Sequence, residues 1–236
     1  MLYEAIRLGY EEYHRVETAY DESYAGFFAK WNVQAIDQPM IDSLRNFLAQ
    51  FKAFSNFRWD QINAEVLQRT ISQVLPNLLE LEDLTVLDNF MDHRQLIAES
   101  FDTIAECQYT PMKRNQKKTT FSSTAASKIL HAINPSLFIM WDDAIRGGYG
   151  LGSDTKGKGY AYRFLPRMQR LAEFAIRQVV ENEGHSREDA ISSLVSCGNS
   201  LAKVLDEYNY VKFTKNNDAV WQKEYALLNS TEMSKN

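Results

Sequence analysis

Residues 119–150 read TTFSSTAASKILHAINPSLFIMWDDAIRGGYG, and the order of side-chain types in this stretch decides the fold class. Ser122, Ser123 and Thr124 carry short oxygens of the kind that cap a helix N-terminus. Ala126, Ile129, Leu130 and Ile133 then recur at the spacing of a helix with one buried face. Asn134-Pro135 ends that helix, because the residue before a proline is pushed out of the α region. Residues 138–141 form a short apolar run expected to be buried, and Asp142 and Asp143 follow directly. A carboxylate at the end of a buried run is costly without a partner. Two readings fit. Asp142 caps a helix opening near Ala144, or it is a functional anion at a cleft edge, close to a lysine one helix away.

Outward from this stretch the same helical period recurs. Helices are expected over residues 2–21, from about 38 to 54 with Asp37 as cap and Pro39 in the first turn, and over 61–75 with a stop at Pro76. Further helices are expected near 78–87, over 88–107, over 160–180, and over 186–208 with Ser186 as cap and Asp189 at the capping-box position. Residues 230–236 look frayed. No stretch alternates apolar and polar residues as a strand does, so no sheet is expected. The aromatics Tyr24, Phe27, Phe28 and Trp31 read as core in preference to a base-stacking platform. The expectation is an all-α fold over residues 1–236, two helical subdomains forming one unit with a cleft between them.

Composition is that of an ordinary globular protein, with 44% hydrophobic and 24% charged residues. No run approaches the length of a membrane span, and the amphipathic, acidic first residues resemble neither a signal nor a transit peptide. Two cysteines, Cys107 and Cys197, make no framework, which suits a reducing cytoplasm. Four scattered histidines show no metal-ligand spacing, so neither metal nor cofactor is implied.

The net charge of −5 hides a strong asymmetry: residues 111–177 hold 12 Lys/Arg against 4 Asp/Glu, whereas residues 1–110 hold 8 against 18. A basic segment inside an acidic protein is the footprint of a polyanion site, or else a solvated basic face. The segment opens with an acid-free loop bearing Lys113, Arg114, Lys117 and Lys118. Six glycines lie between Gly147 and Gly159. They form no phosphate-binding P-loop, and either admit a ligand to the backbone or make a flexible surface loop. The helix after them carries Arg163, Arg167, Arg170 and Arg177 on its polar side.

The pattern S-T-A-A-S-K-I-L-H…N-P-x-L-F-x-x-W-D, about 30 residues in all, resembles the core of the helix-hairpin-helix DNA glycosylase superfamily, closest to its 8-oxoguanine-glycosylase-like branches. In that family a hairpin lysine leads into a helix, and an apolar run ends in a catalytic aspartate. Lys128 and Asp142 match those positions; Asp143 lies one residue beyond, and Ile145-Arg146 resemble the residues that follow. The family's hairpin glycines are missing between Ser122 and Ser127.

The resemblance implies a DNA glycosylase, a hydrolase of N-glycosyl bonds that flips and excises a damaged or modified base. Asp142 is then the catalytic carboxylate. Lys128 is either the sugar-attacking nucleophile or an anion contact. Its short spacing to Asp142 predicts a direct ion pair that keeps the amine protonated, which favours a monofunctional enzyme over a lyase. Lys113, Arg114, Lys117, Lys118, Ser123 and Arg146 are the candidate DNA contacts. Trp141, Tyr149 and Tyr160 are the candidate base pocket, with core packing the stronger expectation for Trp141. Some members of the superfamily excise modified bases of phage DNA as antiviral defence, a role the resemblance permits. The alternatives are a non-catalytic nucleic-acid-binding helical protein and a helical protein whose basic segment binds an acidic partner.

Overall fold

The computed structural model describes residues 1–32, 36–51, 64–110, 119–195 and 199–217. Helix accounts for 72% and strand for 2%, which makes the fold all-α. Helix α1 (Leu2–Val16) buries Tyr3, Ile6, Gly9 and Tyr13 on one face. A Cβ at Gly9 would stand 3.0 Å from the Tyr208 backbone, so glycine is what lets these two segments touch. The single helix expected over residues 2–21 is two. Glu17 leaves the helical region (φ −121°, ψ 36°) and α2 (Thr18–Phe28) starts after it. The bend turns Phe27 onto Phe47, ring centroids 4.4 Å apart. Helix α3 (Gln38–Gln50) is capped as expected, Asp37 accepting from the Met40 N–H at 3.0 Å.

Helix α4 (Ala64–Leu79) carries Pro76 within it, so the stop expected there does not occur. Val74 and Leu78 are both buried, and keeping them in the core holds the helix through a residue that forfeits one N–H bond. The helix expected near residues 78–87 is also replaced: residues 80–90 are turns and bends, and after one 3-10 turn (Met91–His93) comes α5 (Arg94–Ala105). Asn134 supplies the missing ladder. Its Nδ2 donates to the Leu81 and Leu84 carbonyls at 2.7 and 3.0 Å, and its Oδ1 accepts from the Ser136 and Leu137 N–H groups at 3.0 and 3.1 Å.

Strands β1 (Gln108–Tyr109) and β2 (Thr119–Thr120) form a two-residue antiparallel ladder, Gln108 opposite Thr120. Lys113, Arg114, Lys117 and Lys118, between them, lie outside the described residues. Helix α6 (Ser123–Ile133) starts at Ser122, whose Oγ accepts from the Ala125 N–H at 3.1 Å, and stops at Asn134 in extended backbone. Helix α7 (Asp143–Gly148) follows the apolar run. Helix α8 (Gly157–Gly159) passes through a π turn (Tyr160–Phe164) into α9 (Leu165–Glu183), which ends at Gly184 with φ 70°. A Cβ at Gly148 would run into the Phe213 ring, and one at Gly157 into the Ala98 carbonyl. These two glycines therefore serve close packing; neither a ligand nor loop freedom is needed to explain them.

The helix expected over residues 186–208 is again two, α10 (Arg187–Leu194) and α11 (Leu201–Asn209), each with its own serine cap. Every residue of α11 is buried, and a second π turn (Tyr210–Thr214) follows it. Buried apolar side chains from Tyr3 to Val211 form one contiguous cluster. No described helix is long and apolar enough to cross a membrane.

Candidate active site

Helix α6 packs Ala125, Ala126, Ile129, Leu130 and Ala132 fully into the core. The apolar run 138–141 is strapped beside it by Ser127, whose Oγ accepts from the Trp141 N–H at 3.1 Å. His131 adds a second strap. Its Nδ1 bonds the Phe138 carbonyl at 2.6 Å and its Nε2 meets the Tyr24 hydroxyl at 2.9 Å. Burial pushes this imidazole down to about 3 and keeps it neutral, so Nδ1 carries the proton and Nε2 accepts. These straps bring the end of the run, Asp142, beside the helix that carries Lys128.

Asp142 caps α7, its Oδ1 accepting from the Ile145 N–H at 2.8 Å, while its Oδ2 accepts from the Thr214 hydroxyl at 2.7 Å. The capping role does not exhaust it. Asp142, Lys128 and Asp206 all open into one cavity of about 310 Å³ walled by Tyr13, Tyr20, Phe51, Trp141 and Tyr210. The two readings of the sequence are therefore compatible: one carboxylate starts the helix and faces the void.

Lys128 donates from Nζ to the Phe51 carbonyl. Among the described residues no carboxylate pairs with it, so the direct ion pair expected with Asp142 is absent; the Asp142 oxygens are taken by Ile145 and Thr214. Loss of water pulls the Lys128 ammonium down to about 8, against the opposing pull of Asp206 and Asp142. Asp206 is 5% exposed. Burial pushes its carboxyl up to about 6, with Lys203 at 3.5 Å and Lys128 acting in the other direction.

The other candidate residues distribute differently. Arg146 is buried, not poised for a phosphate. It donates from Nη1 to Ser123 Oγ at 2.7 Å and from Nη2 to Asp143 at 2.8 Å, and its guanidinium lies over the Trp141 ring. Ser123 and Arg146 thus brace α6 against α7, which corrects the expectation that both meet DNA. Asp143 is exposed and has this pairing as its role. Of the three aromatics expected around a base, Trp141 alone lines the cavity. Tyr160 is fully buried with its hydroxyl donating to the Ile139 carbonyl at 2.8 Å, and Tyr149 donates to Asn209 at 2.5 Å and borders a separate open groove. Tyr13, Tyr20, Phe51 and Tyr210 take the expected places.

A second cavity, of about 690 Å³, is bordered by His14, Asp21, Lys203 and Glu207. Lys203 Nζ lies 3.1 Å from Glu207, and over the Tyr13 and Tyr24 rings at 4.7 Å each. His14 meets Asp21 through Nδ1 at 2.5 Å and Glu207 through Nε2 at 3.4 Å. The three donor groups lie within 4.8 Å of one another. Because the carboxylates flank opposite ring nitrogens, the arrangement suits an imidazolium between two anions better than a metal ion bound by all three. The contact with Glu207, foremost, holds the His14 value above the usual histidine range.

Asp206 is the functional candidate that sequence reasoning passed over. Its signal was present: Lys203, Asp206 and Glu207 stand at helical spacing in LAKVLDEYNYV, a charged triad inside an apolar segment. No protein-family model, curated protein or solved structure matches the chain.

Proposed function

We propose that this chain is a DNA glycosylase that hydrolyses the N-glycosidic bond of a damaged or modified base. The observation that carries the reading is the convergence of Lys128, Asp142 and Asp206 on one aromatic-walled cavity of about 310 Å³. Roughly 300 Å³ is the lower end of small-molecule sites, enough to receive one base turned out of the stack. Breaking the bond leaves its electron pair on the departing base and positive charge on the sugar. The Asp142 carboxylate, fixed through both oxygens, stabilises that positive charge without reorganising, and takes the proton of the water that attacks the sugar carbon. With a value of about 8, the Lys128 ammonium is only about one-tenth neutral at pH 7. It holds, or protonates, the departing base.

The test is incubation with a panel of natural and modified DNAs, released bases being identified by mass spectrometry. A base released by the wild type and not by Asp142→Asn supports the reading. DNA binding without any release would instead favour the non-catalytic nucleic-acid-binding protein. One observation favours a bifunctional variant of the same activity: desolvation lowers Lys128 toward the neutral amine that attack on a sugar requires. Borohydride during turnover separates the two. The hydrolase leaves an abasic strand and no crosslink; a protein–DNA crosslink lost in Lys128→Ala makes the lysine the nucleophile.

A further inference from the structure

A groove of about 1370 Å³ runs along α9 and is far from neutral: five arginines border it against two glutamates. Arg167, Arg170 and Arg177 recur at three- and seven-residue steps on α9 and share one face, and Arg163, in the π turn before it, borders the same groove. At 1.5 Å per residue the run from Arg163 to Arg177 is about 21 Å long, the axial rise of roughly six phosphates of one nucleic-acid strand. Arg163 is paired with Asp154, and Arg187 on α10 with Glu173 at 2.7 Å. Arg167, Arg170 and Arg177 form no ion pair with a carboxylate among the described residues, although Arg177 acts on Glu173 from a distance and Arg167 donates to the Tyr149 carbonyl at 2.9 Å. Two large aromatics stand exposed beside them, Tyr162 at 39% and Phe174 at 41%. The Arg177 guanidinium already lies over the Phe174 ring at 5.2 Å.

We infer that this face of α9 seats a single strand of nucleic acid, with phosphates on the arginines and unpaired bases on Tyr162 and Phe174. Charge complementarity selects a polyanion, and exposed rings among arginines select one that offers bare π-faces, which a duplex does not. The groove is also bordered by Tyr149 and Leu151, just past α7, and the N-terminal cap of that helix is Asp142. Six helical residues are about 9 Å long, so that border of the groove lies one short helix from Asp142. The inference rests on the glycosylase reading for the identity of the strand as DNA.

Fluorescence anisotropy with a labelled 20-nucleotide single strand, its duplex, polyglutamate and anionic phospholipid vesicles tests it. The wild type should prefer the single strand. Arg170→Ala with Arg177→Ala should weaken binding tenfold or more and lower the log–log salt slope by about 1.4. Phe174→Ala should weaken single-strand binding by about fivefold or more and leave the slope unchanged. All three side chains are exposed, so their removal leaves the buried core untouched. Binding indifferent to these substitutions overturns the inference, as does a preference for duplex, polyglutamate or vesicles. Strand binding that depends on the arginines, without base release from any DNA, overturns the glycosylase reading and leaves this one standing.

Discussion

Two cavities lie on either side of α11 and hold nearly the same kinds of side chain. One has Lys128 and Lys215 and the other Lys203, both have carboxylates and tyrosines, and the helix presents Asp206 to one and Glu207 to the other. They differ in how the charges are matched. Around Glu207 each charge meets its opposite: Lys203 lies against Asp206 and Glu207, and His14 lies between Glu207 and Asp21. Around Asp206 and Asp142 the amine of Lys128 has only the Phe51 carbonyl, and the three groups face a void. Matched charges in a core hold a structure together or fix its specificity. Asp206 is itself matched by Lys203, so on that side it is the Lys128 ammonium, without a paired carboxylate among the described residues, that is left at an opening and available to a ligand. The contrast sets the paired charges around Glu207 against the unpaired Lys128 at the other cavity, and substitutions can break it.

The largest effect is expected among the paired charges. Lys203→Met leaves Asp206 and Glu207 buried beside each other without their cation, and should cost about 3–5 kcal/mol of stability in denaturant unfolding. A variant as stable as the wild type would show that those charges are not matched as described. At the other cavity, Asp142→Asn should lower base release by about 10²–10³-fold, with the fold and DNA affinity nearly kept. Asp143→Asn, which frees only one arm of Arg146, should be milder. If Asp143→Asn proves the more damaging of the two, Asp142 is only a helix cap.

The third prediction is a sign. If Lys128 acts as the ammonium, base release falls as pH rises through about 8, and Lys128→Met abolishes that limb. If it acts as the neutral amine, the rate instead rises toward pH 8 and borohydride crosslinking rises with it. The smallest effect concerns His14. Its folded value lies above the unfolded one, so the folded state holds the extra proton. The stability it contributes is complete below the unfolded value of about 6.5 and is lost as pH rises through the folded value. His14→Gln should flatten the loss of stability as pH rises above about 6.5; an unchanged slope would mean that the imidazole is not charged between its carboxylates.

The stretch 119–150 was legible because it is locally determined. A serine cap, a helical period, Asn-Pro and a second cap each act over a few residues, and together they put Lys128 and Asp142 beside one cavity. What could not be read depends on distant partners. The helix through Pro76 is held by burial of Val74 and Leu78, and the turns after Glu80 by Asn134, some fifty residues on in sequence. The cavity walls come from Tyr13, Tyr20, Phe51 and Tyr210, which no local pattern separates from ordinary core aromatics. Arg146 looked like a phosphate contact because a lone arginine after an aspartate carries no mark of burial; its partner Ser123 belongs to the preceding helix.

The hydroxyl that holds Asp142 comes from Thr214, in the π turn beyond α11, while other borders of the same cavity come from α1 and α2. Its parts therefore enter the growing chain early, in the middle and late. A nascent chain that has not yet made α11 has Lys128 and Asp142 but neither Asp206 nor the Thr214 clasp. Contacts this distant in sequence form only after long loops have closed. Lys128 therefore meets Asp206 across the cavity only once α11 is in place, and a half-synthesised chain lacks these borders of the pocket.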